Sequence, residues 1–561
     1  MFRGYIARCE SGIHCYYYTS MKYILISGSI ASGIGKGITC SSVASLLQSR
    51  GLIVTAVKID GYLNQDSGLI SPGEHGECAV LDSGAECDLD LLNYERFLDI
   101  NLTGKHSITS GKIYSSVLSK ERAGIYLGAT VTMIPHVTDE IQAQIQQAVE
   151  LPINGEAPQI TMIELGGLII SDLEVGVFVE ALRQLRYRVG EQQFYHIHVS
   201  YAPFLGESKS KPVQNAAKEL WRLGLPADLI VCRSPQPVSP EVIAKIAAVA
   251  MLPLQNILDL HDVSNIYHVP ERLETQDVCE KICKKLQLHN GIVFPETIQL
   301  WKKFARVLDD RSLRQVRIGI VGKYTALPDS YLSILRAFDH VAVALNVRIE
   351  IVWINSEEIT EGNVYRKLEL LHGILIPGGF SVRGTEGMIL AAQFARLLDI
   401  PLLGICLGFQ IMAIEIARNM LRLKDATSEE FDAESKNNII YHIRGISRDT
   451  MGGNMKLGSH RTLLLPDSLA SRIYRGVASI IERHRHRYEI NWDRYGERMK
   501  SVGLIASGIA ESQDKLQRVD CIELPLRFYF GIQFHAEMQS RPSKPSPPFT
   551  AFVKSMLAGA D

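Results

Sequence analysis

The run Pro401-Leu402-Leu403-Gly404-Ile405-Cys406-Leu407-Gly408-Phe409-Gln410 limits what this chain can fold into more than any other stretch. It is apolar up to a glycine, presents one cysteine, and passes at once into a helical pattern that reaches Met420. A strand that turns sharply into a helix belongs to an α/β architecture and holds the side chain at the turn on the tip of a sheet. The positive end of the following helix favours a thiolate there. Gln533-Phe534-His535-Ala536-Glu537 adds an imidazole with a carboxylate two residues on, so Cys406, His535 and Glu537 have the parts of a nucleophile, a base and an orienting acid. Taken alone, Cys406 fits a packed core cysteine as well.

Length and composition set outer bounds. A chain of 561 residues implies more than one domain, and 46% hydrophobic against 21% charged residues is ordinary for a protein that buries large cores. Lys+Arg at 59 against Asp+Glu at 61 excludes the basic excess of a nucleic-acid binder, so anionic ligands must be met by local clusters. Ten cysteines without paired zinc spacing, and no strong secretory leader, point to a reducing, cytoplasmic setting. Cys279 and Cys283 lie one helical turn apart but lack a second pair. No apolar run approaches the ~20 residues that span a bilayer. Residues 1–20 carry Arg3 and Arg8 against Glu10 without an apolar segment, and read as a disordered extension ahead of Met21.

In the first half, Lys22-Tyr23-Ile24-Leu25-Ile26-Ser27 is an apolar strand. Gly28-Ser29-Ile30-Ala31-Ser32-Gly33-Ile34-Gly35-Lys36-Gly37 follows, then a helical pattern through Leu47. Strand, glycine loop and helix make a phosphate cradle in which backbone N–H groups and Lys36 face the anion. Gly28 lies two residues too early for the standard signature and Gly37 stands where a hydroxyl would hold magnesium, so on spacing alone a tight glycine turn fits equally. Without that hydroxyl, magnesium needs carboxylates. Asp88-Leu89-Asp90 and Ile163-Glu164-Leu165-Gly166-Gly167 offer them, and Glu164 ends an apolar strand from Ile160, at the sheet edge where ligands collect.

Val54–Ile59 is a second strand with Lys58 near its end. Gly206-Glu207-Ser208-Lys209-Ser210-Lys211-Pro212-Val213-Gln214 puts two lysines at alternate positions of an extended, proline-limited segment, so both ammonium groups face one way; a solvated charged loop fits the same residues. Strand-like runs at Phe194–Val199, Ala227–Cys232 and Ile257–Leu260 alternate with helical ones, the rhythm of a parallel sheet covered on both faces. After a more polar connection from Lys284 to Gln315, a second series opens at Val316 and continues through Val347–Ile354, Gly373–Ile376 and Pro401–Ile405. Glu482-Arg483-His484-Arg485-His486-Arg487-Tyr488-Glu489 resembles a basic patch, yet strand alternation sends the histidines to one face and the arginines to the other.

Gly404 to Gln410, the loop Pro377-Gly378-Gly379-Phe380 and His535-Ala536-Glu537 occur in the order of class I glutamine amidotransferases. Together with the amino-terminal motifs they make the chain resemble the CTP synthase family from about Lys22 to the C-terminus. The resemblance implies an α/β fold of two doubly wound domains: a P-loop-type amidoligase domain over 21–285, a linker over 286–315 and a class I glutamine amidotransferase domain over 316–561. It implies that Gly33, Gly35, Lys36, Gly37 and Lys58 bind ATP, and that Asp90 and Glu164 hold Mg2+. Thr132, Asp172, Glu174, Lys209, Lys211, Gln214 and Lys245 correspond to the UTP site, which also takes the feedback inhibitor CTP.

Gly379 and Leu407 are implied as oxyanion-hole amides, with Gln410, Glu430 and Arg487 as further contacts to glutamine. His75, in Glu74-His75-Gly76-Glu77, matches a residue near the mouth of an ammonia passage. The implied activity is glutamine-hydrolysing, ATP-dependent amination of UTP to CTP by a homotetramer that forms filaments, with GTP as activator and no nucleic-acid or membrane partner.

Several positions depart from the family pattern. Gly166-Gly167-Leu168-Ile169-Ile170-Ser171-Asp172-Leu173-Glu174 is one residue longer than its counterpart, Thr132 stands for a glutamine, and Gly61 for a proline. Ala536, Met538, Asn454 and Lys456 are milder changes in the glutaminase half and its Gly452-Gly453 segment. The rival reading is therefore a divergent paralogue with an impaired UTP site, acting as a glutaminase or as a regulatory partner of an active synthase.

Overall fold

The computed structural model describes residues 21–29, 33–169, 172–288, 294–448, 451–511 and 517–558. The extension 1–20, residues 30–32 of the glycine loop, residues 170–171 of the insertion and part of the 286–315 connection lie outside these.

The chain packs as two units, the first comprising residues up to Gln65 with Lys105–Lys302, the second Asp66–Gly104 with residues from Lys303 onward. In the first, seven strands among the described residues form a parallel sheet in the order Ser107–Thr109, Val54–Asp60, Ile160–Leu165, Lys22–Ser29, Phe194–Tyr201, Leu229–Ser234, Ile257–His261. Their apolar, β-branched runs are buried throughout, as a sheet covered on both faces requires. From Lys22–Ser29 the chain proceeds first to one side and later to the other, so the order reverses beside the glycine loop. Ligands of open α/β sheets bind at such a reversal. The helix after the loop, Lys36–Gln48, is buried nearly all round despite its serines and threonine. Thr39 and Ser41 satisfy their hydroxyls by donating to the Gly35 and Gly37 carbonyls one turn back.

One local expectation is corrected here. The segment carrying Lys209 and Lys211 does not run extended, because a helix opens at Lys211 (Lys211–Arg222) and Pro212 sits in its first turn. A proline there forfeits no helical hydrogen bond, so it starts the helix and does not prolong the loop.

The main sheet of the second unit has nine strands among the described residues. Arg348–Asn355, Gln315–Gly322, Gly373–Ile376, Leu402–Ile405 and Tyr529–Ile532 run parallel. Val519–Leu524, Ile505–Ala510, Lys456–Leu464 and Ser479–His486 continue the sheet antiparallel. Leu407–Asn419 packs against Thr385–Leu398 on one face, and Pro547–Ala558 with Leu332–Leu345 covers the other. The histidine–arginine strand obeys its alternation. His484 and His486 share a 3.0 Å ring-to-ring hydrogen bond, while Arg483 and Arg485 reach acids of the Asp66–Gly104 segment: Glu95 and Asp82 for the first, Glu86 for the second. No helix among the described residues is long and apolar enough to cross a membrane.

Candidate functional site

Cys406 occupies the turn between Leu402–Ile405 and Leu407–Asn419, with φ 54° and ψ −101°. A non-glycine residue in that region is strained, and such strain persists where surrounding structure fixes it. Here the flanking glycines do so. A Cβ at Gly404 would stand 2.4 Å from the Met412 sulfur and one at Gly408 2.0 Å from the Ile376 carbonyl, so strand and helix meet closely on either side of the cysteine.

His535 Nδ1 lies 2.7 Å from Glu537 Oε1. The carboxylate only accepts, so Nδ1–H donates and Nε2 is left for the thiol. Gly378 lies between the two: its Cβ would be 3.1 Å from His535 Cε1 and 3.5 Å from Cys406 Cβ. Burial opposes the proton on His535, yet the Glu537 carboxylate and Cys406 hold its pKa up to about 10. The three residues placed by sequence are thus one assembly.

Gly379 approaches the Leu407 side chain, where its Cβ would lie 3.4 Å away. Gln410 donates to the Tyr488 carbonyl and to Gln533 Oε1 at 3.1 and 3.2 Å. Glu430 accepts from the Ser381 N–H at 2.6 Å, and burial raises its pKa against the pull of that bond, Lys323 and Arg487. Arg487 donates to the Met451 carbonyl at 3.0 Å.

Sequence reasoning missed Lys323, which directly follows the strand Gln315–Gly322. Its ammonium donates to the Phe380 carbonyl at 2.9 Å and to that of Ser381, and burial lowers its pKa to about 8. Arg485 was missed too: its carbonyl lies 3.7 Å from the Cys406 sulfur. A cavity of about 70 Å3 is bounded by Cys406, His535, Gly378, Glu77 and Cys78. That volume holds one or two water-sized molecules. Burial, then the Glu537 charge, pushes Glu77 up to about 7. His75 stands 3.5 Å from Asp88, and Lys456 3.5 Å from Asp520.

In the first unit, Gly33 and Gly35 take φ of 70° and 90°, and Lys36 opens the helix with its ammonium 2.7 Å from the Gly167 carbonyl. Gly28, early for a loop glycine, lies in the strand and accommodates the lysine stem, since a Cβ there would be 2.7 Å from Lys36 Cδ. Lys58 pairs with Glu164 at 3.0 Å and with Asp60 at 3.6 Å. Asp60 was not among the sequence candidates, though it ends the same strand as Lys58. Arg233, also missed, donates to the Ile34 carbonyl at 3.2 Å. Asp90 opens the helix Asp90–Leu98 in the second unit. Among the described residues no three His, Cys, Asp or Glu side chains converge as a ready metal centre.

Gln214 donates to Ser210 Oγ and approaches the Lys245 carbonyl at 3.5 Å, which sets the first turn of Lys211–Arg222 against the middle of the helix Pro240–Ala250. Lys209 instead pairs with Glu207. Asp172 Oδ2 accepts from the Leu168 N–H at 2.6 Å. Thr132 and Glu174 are exposed.

A family model described as CTP synthase N-terminus matches residues 22–288, and one described as glutamine amidotransferase class-I matches 326–555. A "CTP synthase" of Dictyostelium discoideum is 43% identical over 96% of this chain and 99% of its own. A "CTP synthase 1" of Homo sapiens is 43% identical over 94% of this chain and 91% of its own. Among solved structures, the Trypanosoma brucei CTPS glutaminase domain with bound acivicin is 37% identical, covering 43% of this chain and 94% of that one at a TM-score of 0.41. With both family models in sequence order and relatives matching along nearly the whole chain, this chain belongs to the CTP synthase family.

Proposed function

We propose that the protein makes CTP from UTP, ATP and ammonia that it releases from glutamine. The observation that carries this reading is the joint presence of an assembled Cys406–His535–Glu537 triad and a glycine-loop lysine site in one chain that matches named CTP synthases over 94–96% of its length. The functional domains are taken as 21–285 and 316–561, joined by 286–315. The divergent-paralogue alternative gains no support from relatives at this identity and coverage.

In the glutaminase half, Cys406 attacks the side-chain amide carbon of glutamine while His535, oriented by Glu537, carries the proton to the leaving ammonia. Water then cleaves the thioester and releases glutamate. The amides of Gly379 and Leu407 receive the oxyanion, and losing one such donor costs roughly 100- to 1,000-fold in rate. Glu430 and Arg487 take the amino and carboxylate groups of glutamine, with Lys323 fixing the 380–381 carbonyls beside them. The small cavity beside Cys406 accepts ammonia away from bulk water.

In the synthase half, ATP phosphorylates O4 of the uracil ring and ammonia displaces the phosphate. Lys36 and Lys58 neutralise phosphoryl charge, the main demand of such a transfer. The oxygen donors Glu164 and Asp60 suit a hard cation. Glu164 would hold Mg2+, which when bound would supply further charge neutralisation at the phosphates. Lys211, Gln214 and Lys245 grip the UTP triphosphate. A cytoplasmic homotetramer, filament assembly, CTP feedback and GTP activation complete the proposal. The test is CTP formation by purified protein with ATP, UTP, Mg2+ and glutamine; glutamate release without CTP would reject the synthase assignment and leave a glutaminase.

A further inference from the structure

Behind the triad, the second unit carries a cleft of about 870 Å3 that no part of the proposed reaction uses. Its volume lies within the range of small-molecule sites. Four cations line it: Arg472, Arg475, Lys544 and Lys554. Arg472 is tethered to the Asp467 carbonyl at 2.8 Å, whereas Arg475, Lys544 and Lys554 make no ion pair with the described residues. The first turn of the helix Pro547–Ala558 also lines the cleft, and its opening prolines, Pro547 and Pro548, bring no backbone N–H to it. Ile480, Val477 and Pro545 supply apolar wall.

An independent feature lies in the same wall. Glu482 is 6% exposed; its Oε1 accepts from the Tyr474 hydroxyl at 2.8 Å, while its Oε2 has no hydrogen-bond partner. A buried polar atom left unsatisfied is costly unless water or a ligand reaches it. Burial first, and the Glu537 charge, raise its pKa to about 7 against the pull of the Tyr474 hydrogen bond.

We propose that this cleft is a second ligand site that binds a phosphate-bearing small molecule, its phosphates held by Arg475, Lys544 and Lys554 and its body set against the apolar wall beside Glu482. Ala536 lines the cleft between His535 and Glu537, so an occupant contacts the backbone that carries the triad.

Hydrogen exchange of the full-length protein, with and without inorganic tripolyphosphate or a nucleoside triphosphate, reads the site locally. The expected result is slowed exchange over 472–482 and 543–554, with binding weakened on the order of tenfold or more in a Lys544→Ala/Lys554→Ala double variant. Both lysines are exposed, so that variant keeps the fold. Equal protection by tripolyphosphate and nucleotide identifies an inorganic polyphosphate site, and stronger protection by the nucleotide identifies a nucleotide site. No protection by either probe, or protection unchanged in the double variant, overturns the proposal.

Discussion

Replacing Glu95 by glutamine perturbs a fully buried and heavily bonded charge of the second unit. Its carboxylate, 0% exposed, accepts from Arg483 at 2.9 and 3.2 Å, from Arg541 at 2.7 Å and from the Leu102 N–H at 2.9 Å. Two buried guanidinium groups therefore share one anion, and of the two it is Arg483 that also donates to Asp82, at 2.7 Å. Arg541 has its pKa lowered, by burial first and by the Arg483 charge, so it is the partner least able to lose the acid. Removing one member of a buried pair costs about 3–5 kcal/mol. Glutamine keeps the shape and one acceptor, which argues for the lower end, ~3 kcal/mol, or a rise of roughly 100-fold in local opening. A chain of two units does not unfold in one step, so the measurement is amide exchange over 479–486 and 538–541. Because the same strand places the Arg485 carbonyl 3.7 Å from the Cys406 sulfur, the KM for glutamine should rise as well. Unchanged exchange in both segments, with unchanged kinetics, would refute the claim that this acid holds the strand in place.

Other outcomes follow from the site geometry. Lys36→Ala should remove ATP-dependent synthesis while glutamine hydrolysis stays measurable; retained ATP dependence would reject the phosphate-cradle assignment. His535, held near a pKa of about 10, contributes stability that is complete below its unfolded value of ~6.5 and disappears as pH rises through about 10. Glu537→Gln removes the main cause, so thermal melting should drop at neutral pH and converge with the parent above pH ~10; a uniform drop across pH would show that the charge is not responsible. Thr132→Gln restores reach and a donor–acceptor pair at the exposed edge of the proposed UTP site, and should tighten UTP by roughly tenfold, at ~1–2 kcal/mol for the added bond. Equal UTP affinity, read by nucleotide titration, would remove Thr132 from that site.

Most strands, and the cysteine turn above all, were legible because apolar runs ending at glycines have few folded solutions. The triad was legible for the same reason: Cys406 needs its turn, and His535 and Glu537 lie two residues apart. What sequence left hidden is long-range pairing. Nothing local says that Glu95, Asp82 and Glu86 meet the arginines of Ser479–His486, so the segment Asp66–Gly104 could not be assigned to the second unit. Lys323, Arg233 and Asp60 escaped because a charge at a strand end is ordinarily solvated; only the packing around each reveals its target. Lys211 was misread since a proline two residues into a charged loop fits both an extended run and the first turn of a helix.

The most direct test compares nitrogen sources in Cys406→Ala. CTP formation is followed with ATP, UTP and Mg2+, supplied either with glutamine or with ammonium salt at alkaline pH. The thiol serves only to free ammonia, so glutamine-dependent CTP formation should vanish while the ammonia-dependent rate stays within about twofold of the parent protein. Equal loss with both sources, or survival of the glutamine-dependent rate, would contradict the division of labour between the two halves of the chain.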